Sequence, residues 1–88
     1  MRWRVKLAPD AEKQLRKLDR KMRQRVWEAI VGLQGEESPL LRPNVRSLIG
    51  NLSGDYRVRV GNYRILFTLI MESNIVHVYA ILPRGSAY

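Results

Sequence analysis

Arginines on both sides of a short turn are the residues of this sequence best placed to do chemistry. Arg57 and Arg59 precede Gly61-Asn62, and Arg64 follows it. The flanking segments alternate apolar and polar residues, which indicates two strands, and a Gly-X pair between strands is typical of a two-residue hairpin turn. Such a turn sets Arg59 opposite Arg64, and directly opposed residues share one face of a sheet. We therefore predict that these three arginines lie together.

Phosphate is the natural ligand for this sheet face, which is called the arginine face below and is defined by Arg57, Arg59 and Arg64. Two like charges on opposed strand positions are unfavourable unless an anion neutralises them. Asp55 is assigned to the preceding turn, so the predicted hairpin offers no carboxylate for this purpose. A guanidinium binds phosphate oxygens two at a time. The alternative is that the long side chains extend into water.

The overall charge favours a polyanionic or acidic partner. The 88 residues include 16 Lys and Arg against 8 Asp and Glu, a net charge of +8, and twelve of the basic residues are arginine. This balance is typical of proteins that bind nucleic acid.

Other classes of site are excluded or unsupported. The sequence has no cysteine, which excludes disulfides and a thiol nucleophile. No residues have metal-ligand spacing, so we predict neither a metal nor a cofactor. We find no signal-peptide pattern and no long apolar run, so a cytoplasmic protein without membrane contact is expected.

A sheet with two helices on one face would position the arginine face. Alternation over residues 2–7 predicts a first strand. Pro9-Asp10 opens a helix that Asp19 interrupts, and a second apolar stripe predicts a helix from about Lys21 to Leu33, with Gly35 just past its end.

The second half of the chain predicts loops and strands only. Residues 34–47 contain glycine and two prolines and are interpreted as a loop. Strands are predicted near residues 56–60, 63–71 and 75–82, and they form a three-strand antiparallel meander. The expected fold is one α+β domain over residues 1–88, with the arginine face left free by the helices.

Several side chains that could take part in binding or catalysis could instead have a purely structural role. His77 would lie on the arginine face after a two-residue loop at Ser73-Asn74, and in the core after a three-residue loop; we favour a packed histidine. Tyr63 and Tyr79 are interpreted as core or sheet-filling residues. Trp3 and Trp27 are interpreted as packing residues.

Taken in order, several segments resemble the RelE/ParE toxin superfamily. The run Tyr56-Arg57-Val58-Arg59-Val60-Gly61-Asn62-Tyr63-Arg64-Ile65 is its most specific part, with Leu48-Ile49-Gly50 before it and Ala80-Ile81, Arg84 and Tyr88 after it. The resemblance implies a RelE-like, microbial-ribonuclease-like fold. Arg84 followed by Tyr88 is more similar to the RelE branch, which cleaves messenger RNA in the ribosomal A site, than to the ParE branch, which inhibits DNA gyrase.

The resemblance implies a role for each matching residue. Arg64 would contact the scissile phosphate, and Arg84 would assist there or protonate the leaving oxygen. Tyr88 would stack on a base or orient the nucleophile. Arg57 and Arg59 would hold RNA phosphates, at positions where RelE-type enzymes often carry lysine. The implied reaction is metal-independent attack by the RNA 2′-hydroxyl, which leaves a 2′,3′-cyclic phosphate.

Two departures from the family pattern keep other functions open. Arginine is a poor general base, and Pro83 stands where many relatives place a histidine. A ParE-like gyrase inhibitor and a non-catalytic basic RNA-binding module are therefore the alternatives. The resemblance also implies partners: a cognate antitoxin, messenger RNA on the ribosome and contacts with 16S ribosomal RNA, without a small-molecule cofactor.

Overall fold

The computed structural model describes residues 2–48 and 54–84, which form a five-stranded sheet with two helices packed on one face. The predicted α+β architecture is confirmed. In chain order, the elements are β1 (Arg4–Leu7), α1 (Pro9–Arg16), α2 (Arg20–Val31), a 3₁₀ turn (Pro39–Leu41), β2 (Val45–Ser47), β3 (Asp55–Val60), β4 (Tyr63–Ile70) and β5 (Ile75–Pro83). The strand order is β1-β5-β4-β3-β2, with β1 parallel to β5 and the other neighbours antiparallel.

Local chemistry explains where the helices begin and end. Pro9 occupies the first turn of α1, where a missing N–H costs nothing. The Asp19 carboxylate caps α2 by accepting the Met22 N–H at 2.8 Å. The helix ends at Val31, earlier than predicted, and Gly32 is its C-cap. Gly35 is not the C-cap; its backbone pairs with Trp3, at a φ of +128° that favours glycine.

The core lies between the helices and one face of the sheet. The apolar stripes of α1 and α2 pack against alternating residues of β3, β4 and β5, and Trp3 is buried among them as predicted. The side chains of Phe67, Ile30, Ile65 and Val26 are almost completely buried. Burial of this stripe fixes which face of each strand turns inward, because shifting a strand by one residue would reverse its two faces.

The hairpin between β3 and β4 has the predicted turn and register. Val60 pairs with Tyr63, Arg59 with Arg64, and Val58 with Ile65. Gly61 has a φ of +56° and Asn62 does not have a positive φ, which is the pattern of a type II′ turn. A Cβ atom on Gly61 would lie 3.0 Å from Met22 Cε, so the turn also packs closely on α2.

The structure corrects the predicted meander in two places. Val45–Ser47, interpreted as loop, forms the edge strand β2 on β3. In β5, Leu66 pairs with Ala80 and Phe67 with Val78, so Tyr79 is an extra residue in a β-bulge. Both features change what lies on the arginine face.

Candidate nucleic-acid interface

The predicted arginine face exists in the structure. Val58, Val60 and Ile65 are buried in the core, so the alternating positions Arg57, Arg59 and Arg64 lie on the opposite side of the sheet. Arg59 and Arg64 are direct cross-strand partners. The pairing places two arginine side chains side by side on adjacent strands, as the two-residue turn predicts.

Arg64 is the least exposed charged residue of this face. Its exposed fraction is 8 %, whereas Arg59 beside it is exposed. Arg64 lies on β4, the middle strand, and has Leu82 of β5 as its other neighbour. The Arg64 side chain is therefore largely removed from water, a condition under which charge interactions strengthen.

Arg84 extends the same region at the hairpin end of β5. Its backbone N–H donates to the Asn62 carbonyl at 2.6 Å, which adds one hydrogen bond beyond the Tyr63–Pro83 pair. Strand alternation from Leu82 then assigns Arg84 to the arginine face, near the turn that joins Arg59 to Arg64. Tyr88, the remaining predicted site residue, lies outside the described residues, as do Ile49 and Gly50 of the family resemblance.

Sequence reasoning missed Arg46, which also lies on the arginine face. Arg46 of β2 is the direct cross-strand partner of Arg57. The one available signal was the Val45-Arg46-Ser47 alternation, and three residues between two loops are too few to separate a strand from its surroundings. With Arg46 included, basic residues extend across β2, β3 and β4.

A carboxylate lies at the far end of the face, contrary to the sequence interpretation. Asp55 belongs to β3 and has the same orientation as Arg57, with Thr68 as its partner. The Tyr79 hydroxyl donates to Asp55 Oδ2 at 3.0 Å. Burial and the neighbouring Asp55 carboxylate together raise the pKa of Tyr79 from 10.0 to about 12. Asp55 therefore accepts from a tyrosine, and it forms no ion pair with any described arginine.

His77 lies on the arginine face, half-buried and opposite Thr68. The turn before β5 contains the four residues 71–74. Any loop with an even number of residues places His77 on the same face of the sheet. The four-residue loop therefore has the outcome predicted for a two-residue loop, with His77 on the arginine face. Neither His77 nor Asp55 is close to the opposed arginines, since four strand residues span about 13–14 Å.

The two predicted packing tryptophans have different environments. Trp3 is buried, but Trp27 on α2 is 45 % exposed. Trp27 lies between two grooves of the helix layer, one lined by Leu15, Arg20 and Arg23 and the other by Val5, Ile30 and Val31. The packing interpretation of Trp27 is therefore wrong, and an aromatic ring remains available on the side of the molecule opposite the arginine face.

Within residues 2–48 and 54–84, no group of three or more His, Asp and Glu side chains could hold a metal ion. Among those same residues, every helix is too short or too polar to cross a bilayer. Arg46, Arg57 and Arg59 form no ion pair with another described residue. These three cations of the arginine face are therefore not neutralised by a carboxylate of the described residues.

Sheet topology, helix layer and basic face together define a RelE-like toxin fold. The family model described as "ParE toxin of type II toxin-antitoxin system, parDE" matches residues 5–88. The chain belongs to this family, within the RelE/ParE superfamily, and is the toxin of a type II toxin–antitoxin system.

Solved structures show the same fold over nearly the whole chain. The archaeal RelE–RelB complex from Pyrococcus horikoshii OT3 matches with 29 % identity and a TM-score of 0.78, covering 99 % of this chain and 100 % of that one. The RelBE2 toxin–antitoxin complex from Mycobacterium tuberculosis matches with 24 % identity and a TM-score of 0.78, covering 96 % and 100 %. The isolated E. coli RelE toxin matches with 23 % identity and a TM-score of 0.77, covering 97 % and 87 %. A comparison with curated protein sequences found no match.

Proposed function

We propose that this toxin is a ribosome-dependent endoribonuclease that cleaves messenger RNA in the A site without a metal ion. The observation that carries the proposal is the cross-strand pair of Arg59 and Arg64 on the open face of the sheet. Arg57 lies two residues before Arg59, and Arg84 is at the same end of the sheet as the pair. Convergent guanidinium groups suit a phosphodiester that gains negative charge during reaction.

The proposed reaction is the one that the family resemblance implies. The RNA 2′-oxygen forms a bond to the adjacent phosphorus, the bond from phosphorus to the 5′-oxygen breaks, and a 2′,3′-cyclic phosphate remains. The proton leaves the 2′-hydroxyl and a proton reaches the departing 5′-oxygen. In this scheme Arg64 stabilises the phosphorane charge, Arg84 assists at the phosphate or the leaving oxygen, and Arg57 and Arg59 hold the strand. Tyr88 is assigned to base stacking or nucleophile orientation.

The arginine face has no general base close to the Arg59–Arg64 pair among the described residues, which favours a reaction that needs the ribosome. A general base must approach its proton to about 2.6–3.2 Å. Asp55 and His77 lie on the arginine face. Counted along β3 and β4, each is four residues from the level of the Arg59–Arg64 pair, which is about 13–14 Å between Cα positions. Arginine itself keeps its proton. We therefore assign catalysis to positioning and charge stabilisation, with proton transfer completed in the complex with ribosome and message.

Primer extension on messages translated with the added toxin tests this proposal. Wild-type protein is expected to produce cuts at A-site codons, with cyclic phosphate at the new 3′ ends. Arg84 is exposed at a strand end, so Arg84→Ala should fold normally. The variant should lose about 2.7–4 kcal/mol of transition-state stabilisation, which lowers the cleavage rate by about 10²–10³. Arg64→Ala should show at least this loss. Because Arg64 is largely buried, its variant is accompanied by a thermal melt, and Arg64→Lys serves as the charge-retaining comparison.

Arg23→Ala provides the matched control. Arg23 is an exposed arginine on α2, in the layer opposite the arginine face, and its removal changes net charge by the same amount. Normal cleavage by Arg23→Ala with loss in Arg84→Ala supports a localised site. Intact cleavage by folded Arg84→Ala and Arg64→Ala would contradict the assignment.

The family match supports a second candidate function, inhibition of DNA gyrase, because the matching family model is that of the ParE toxins. A supercoiling assay separates the two. Inhibited supercoiling without any RNA cut indicates the gyrase function. RNA binding with neither activity indicates a basic RNA-binding module.

A cognate antitoxin belongs to the same proposal. The Pyrococcus horikoshii and Mycobacterium tuberculosis neighbours were both solved as toxin–antitoxin complexes. In this chain, Trp27 and Val31 are large apolar side chains exposed on α2, with Arg20 and Arg23 beside the groove at Trp27. An amphipathic antitoxin segment with acidic residues would satisfy both features, and we assign its contact to this surface.

A further inference from the structure

We infer that a cleft beside the reaction site binds a second phosphate of the same RNA strand. The cleft has a volume of about 150 Å³ and is lined by Asn44, Arg46, Arg57 and Arg59. The lining residues are three arginines and one asparagine, all with side chains that can donate hydrogen bonds, and no carboxylate is among them. The inference rests on the proposed function, since RNA is the ligand in both, and it adds Arg46 and Asn44 as substrate-binding residues.

The Arg46 side chain is held in place before any ligand arrives. Its Nη1 donates to the Pro43 carbonyl and to the Val45 carbonyl, each at 3.0 Å. Those two bonds occupy both hydrogens of Nη1 and leave the donors of Nη2 and Nε for a ligand. A guanidinium anchored in this way loses less side-chain entropy when it binds an anion.

The position of the cleft indicates a phosphate distinct from the scissile one. Arg46 lies on β2 and, through Arg57, is level with Leu66 of β4, two residues along that strand from Arg64. The Cα atoms of Arg46 and Arg64 are therefore separated by about 9.4–9.8 Å across the strands and by about 7 Å along them. The bonds from Arg46 to Pro43 and Val45 hold its guanidinium near β2 rather than over β4. Arg59 lies between the two, as the cross-strand partner of Arg64 and a lining residue of the cleft. An extended strand crossing β4, β3 and β2 would therefore meet a cationic group at each step.

The charge pattern favours RNA over a small anion. Arg46 and Arg57 are direct cross-strand partners, which is unfavourable without a counter-charge. Neither forms an ion pair within the described part of the chain. The cleft is open and continuous with Arg59, so a polyanion that already contacts the Arg59–Arg64 pair is the ligand that reaches it at least entropic cost.

Salt-dependent binding of a short RNA tests the second phosphate site. The probe is a fluorescent hexanucleotide with 2′-O-methyl groups, which blocks the proposed nucleophile, and its anisotropy is measured over a range of salt concentrations. Each phosphate contact contributes about 0.7 to the slope of log K against log salt for a single strand. Arg46→Ala is expected to reduce the slope by this amount and to raise Kd about tenfold at low salt. Lys13→Ala, with the same change in net charge at an exposed position of α1 in the helix layer, is expected to keep the wild-type slope.

A dinucleotide with a single phosphate locates the contact. If its phosphate is held at Arg59 and Arg64, Arg46→Ala binds it as wild type does, and only the hexanucleotide distinguishes the variants. An unchanged hexanucleotide slope in Arg46→Ala overturns the inference, as does an equal loss of dinucleotide binding, which would place Arg46 at the same phosphate as Arg64. Binding of an uncleavable strand does not require cleavage. A wild-type protein that binds with the predicted slope but cuts no message would refute the proposed function and leave the second site standing.

Discussion

At the scale of single residues, Tyr79 marks the end of the arginine face. Tyr79 lies on β5, and its hydroxyl donates to Asp55 on β3. The side chain therefore extends across β4, the strand between them. The bulge at Leu66–Phe67 makes this possible, because it leaves Tyr79 unpaired between Val78 and Ala80. Tyr79 thus donates to the one described carboxylate of β3, and that carboxylate forms no ion pair with Arg57.

Titration of the tyrosines tests this contact. The pKa of Tyr79 is about 12, raised by burial first and by the Asp55 hydrogen bond and charge second. We expect Asp55→Asn to lower that pKa while leaving it above 10, because burial remains. Ultraviolet absorbance of tyrosinate against pH measures the shift, and Tyr79→Phe identifies the transition by removing it. A transition that is unchanged in Asp55→Asn would show that the carboxylate does not act on Tyr79.

The same shift sets a pH dependence of stability. The folded state retains the Tyr79 proton above pH 10, where the unfolded chain releases it. The stabilisation is therefore complete below pH 10 and is lost between pH 10 and about 12. Tyr79→Phe should flatten this part of the stability curve in urea unfolding, and a decline of equal steepness in both proteins would contradict the assignment.

At the scale of elements, the Gly61-Asn62 turn determines the geometry of the site. Gly61 has a φ of +56° and lies against Met22 of α2. Gly61→Ala should lower the free energy of unfolding by about 1–3 kcal/mol, because a side chain is strained in this backbone conformation. It should also weaken RNA binding, since Arg59 and Arg64 depend on the turn for their alignment.

Gly32 offers a matched control for the turn. Its φ is −65°, and an added Cβ would meet the Glu28 and Ala29 carbonyls at 3.4 Å. Gly32→Ala is therefore expected to be neutral or to stabilise by about 0.4–1 kcal/mol. Urea unfolding of both variants distinguishes turn strain from a general effect of glycine removal, and equal destabilisation would contradict the role given to Gly61.

The turn also explains how much of the fold could be predicted from the sequence. A two-residue loop leaves only one register for its two strands. The pairing of Arg59 with Arg64 could therefore be predicted from the sequence pattern, and the structure confirms it. Segment 45–47 has no such constraint, and its pairing with β3 depends on contacts distant in sequence. The bulge at Tyr79 was likewise missed because strand alternation assumes an unbroken ladder. Arg46 and Asp55 were therefore missing from the predicted site, because both features depend on tertiary contacts and not on the local sequence pattern.

At the scale of the whole molecule, two candidate binding surfaces lie on opposite layers. The sheet exposes the arginine face, while α2 exposes Trp27 between its two grooves. With a net charge of +8, the protein attracts polyanions in general. The local arrangement of side chains on each surface therefore determines which ligand binds there. Substitutions in one layer should leave binding to the other layer unaffected.

Trp27→Ser tests this separation. A tryptophan at the centre of an interface commonly contributes 2 kcal/mol or more, so the variant should bind the cognate antitoxin about 30-fold more weakly in calorimetry. Met71→Ser is the control, because Met71 is 68 % exposed in the turn before β5, away from both grooves. Affinity of Trp27→Ser for the uncleavable hexanucleotide should equal that of wild type, because the ring lies across the core from Arg59 and Arg64. If Trp27→Ser and Met71→Ser lose antitoxin affinity equally, the groove at Trp27 is not the contact. If Trp27→Ser loses RNA affinity instead, the helix layer belongs to the RNA surface and the two functions share one side of the molecule.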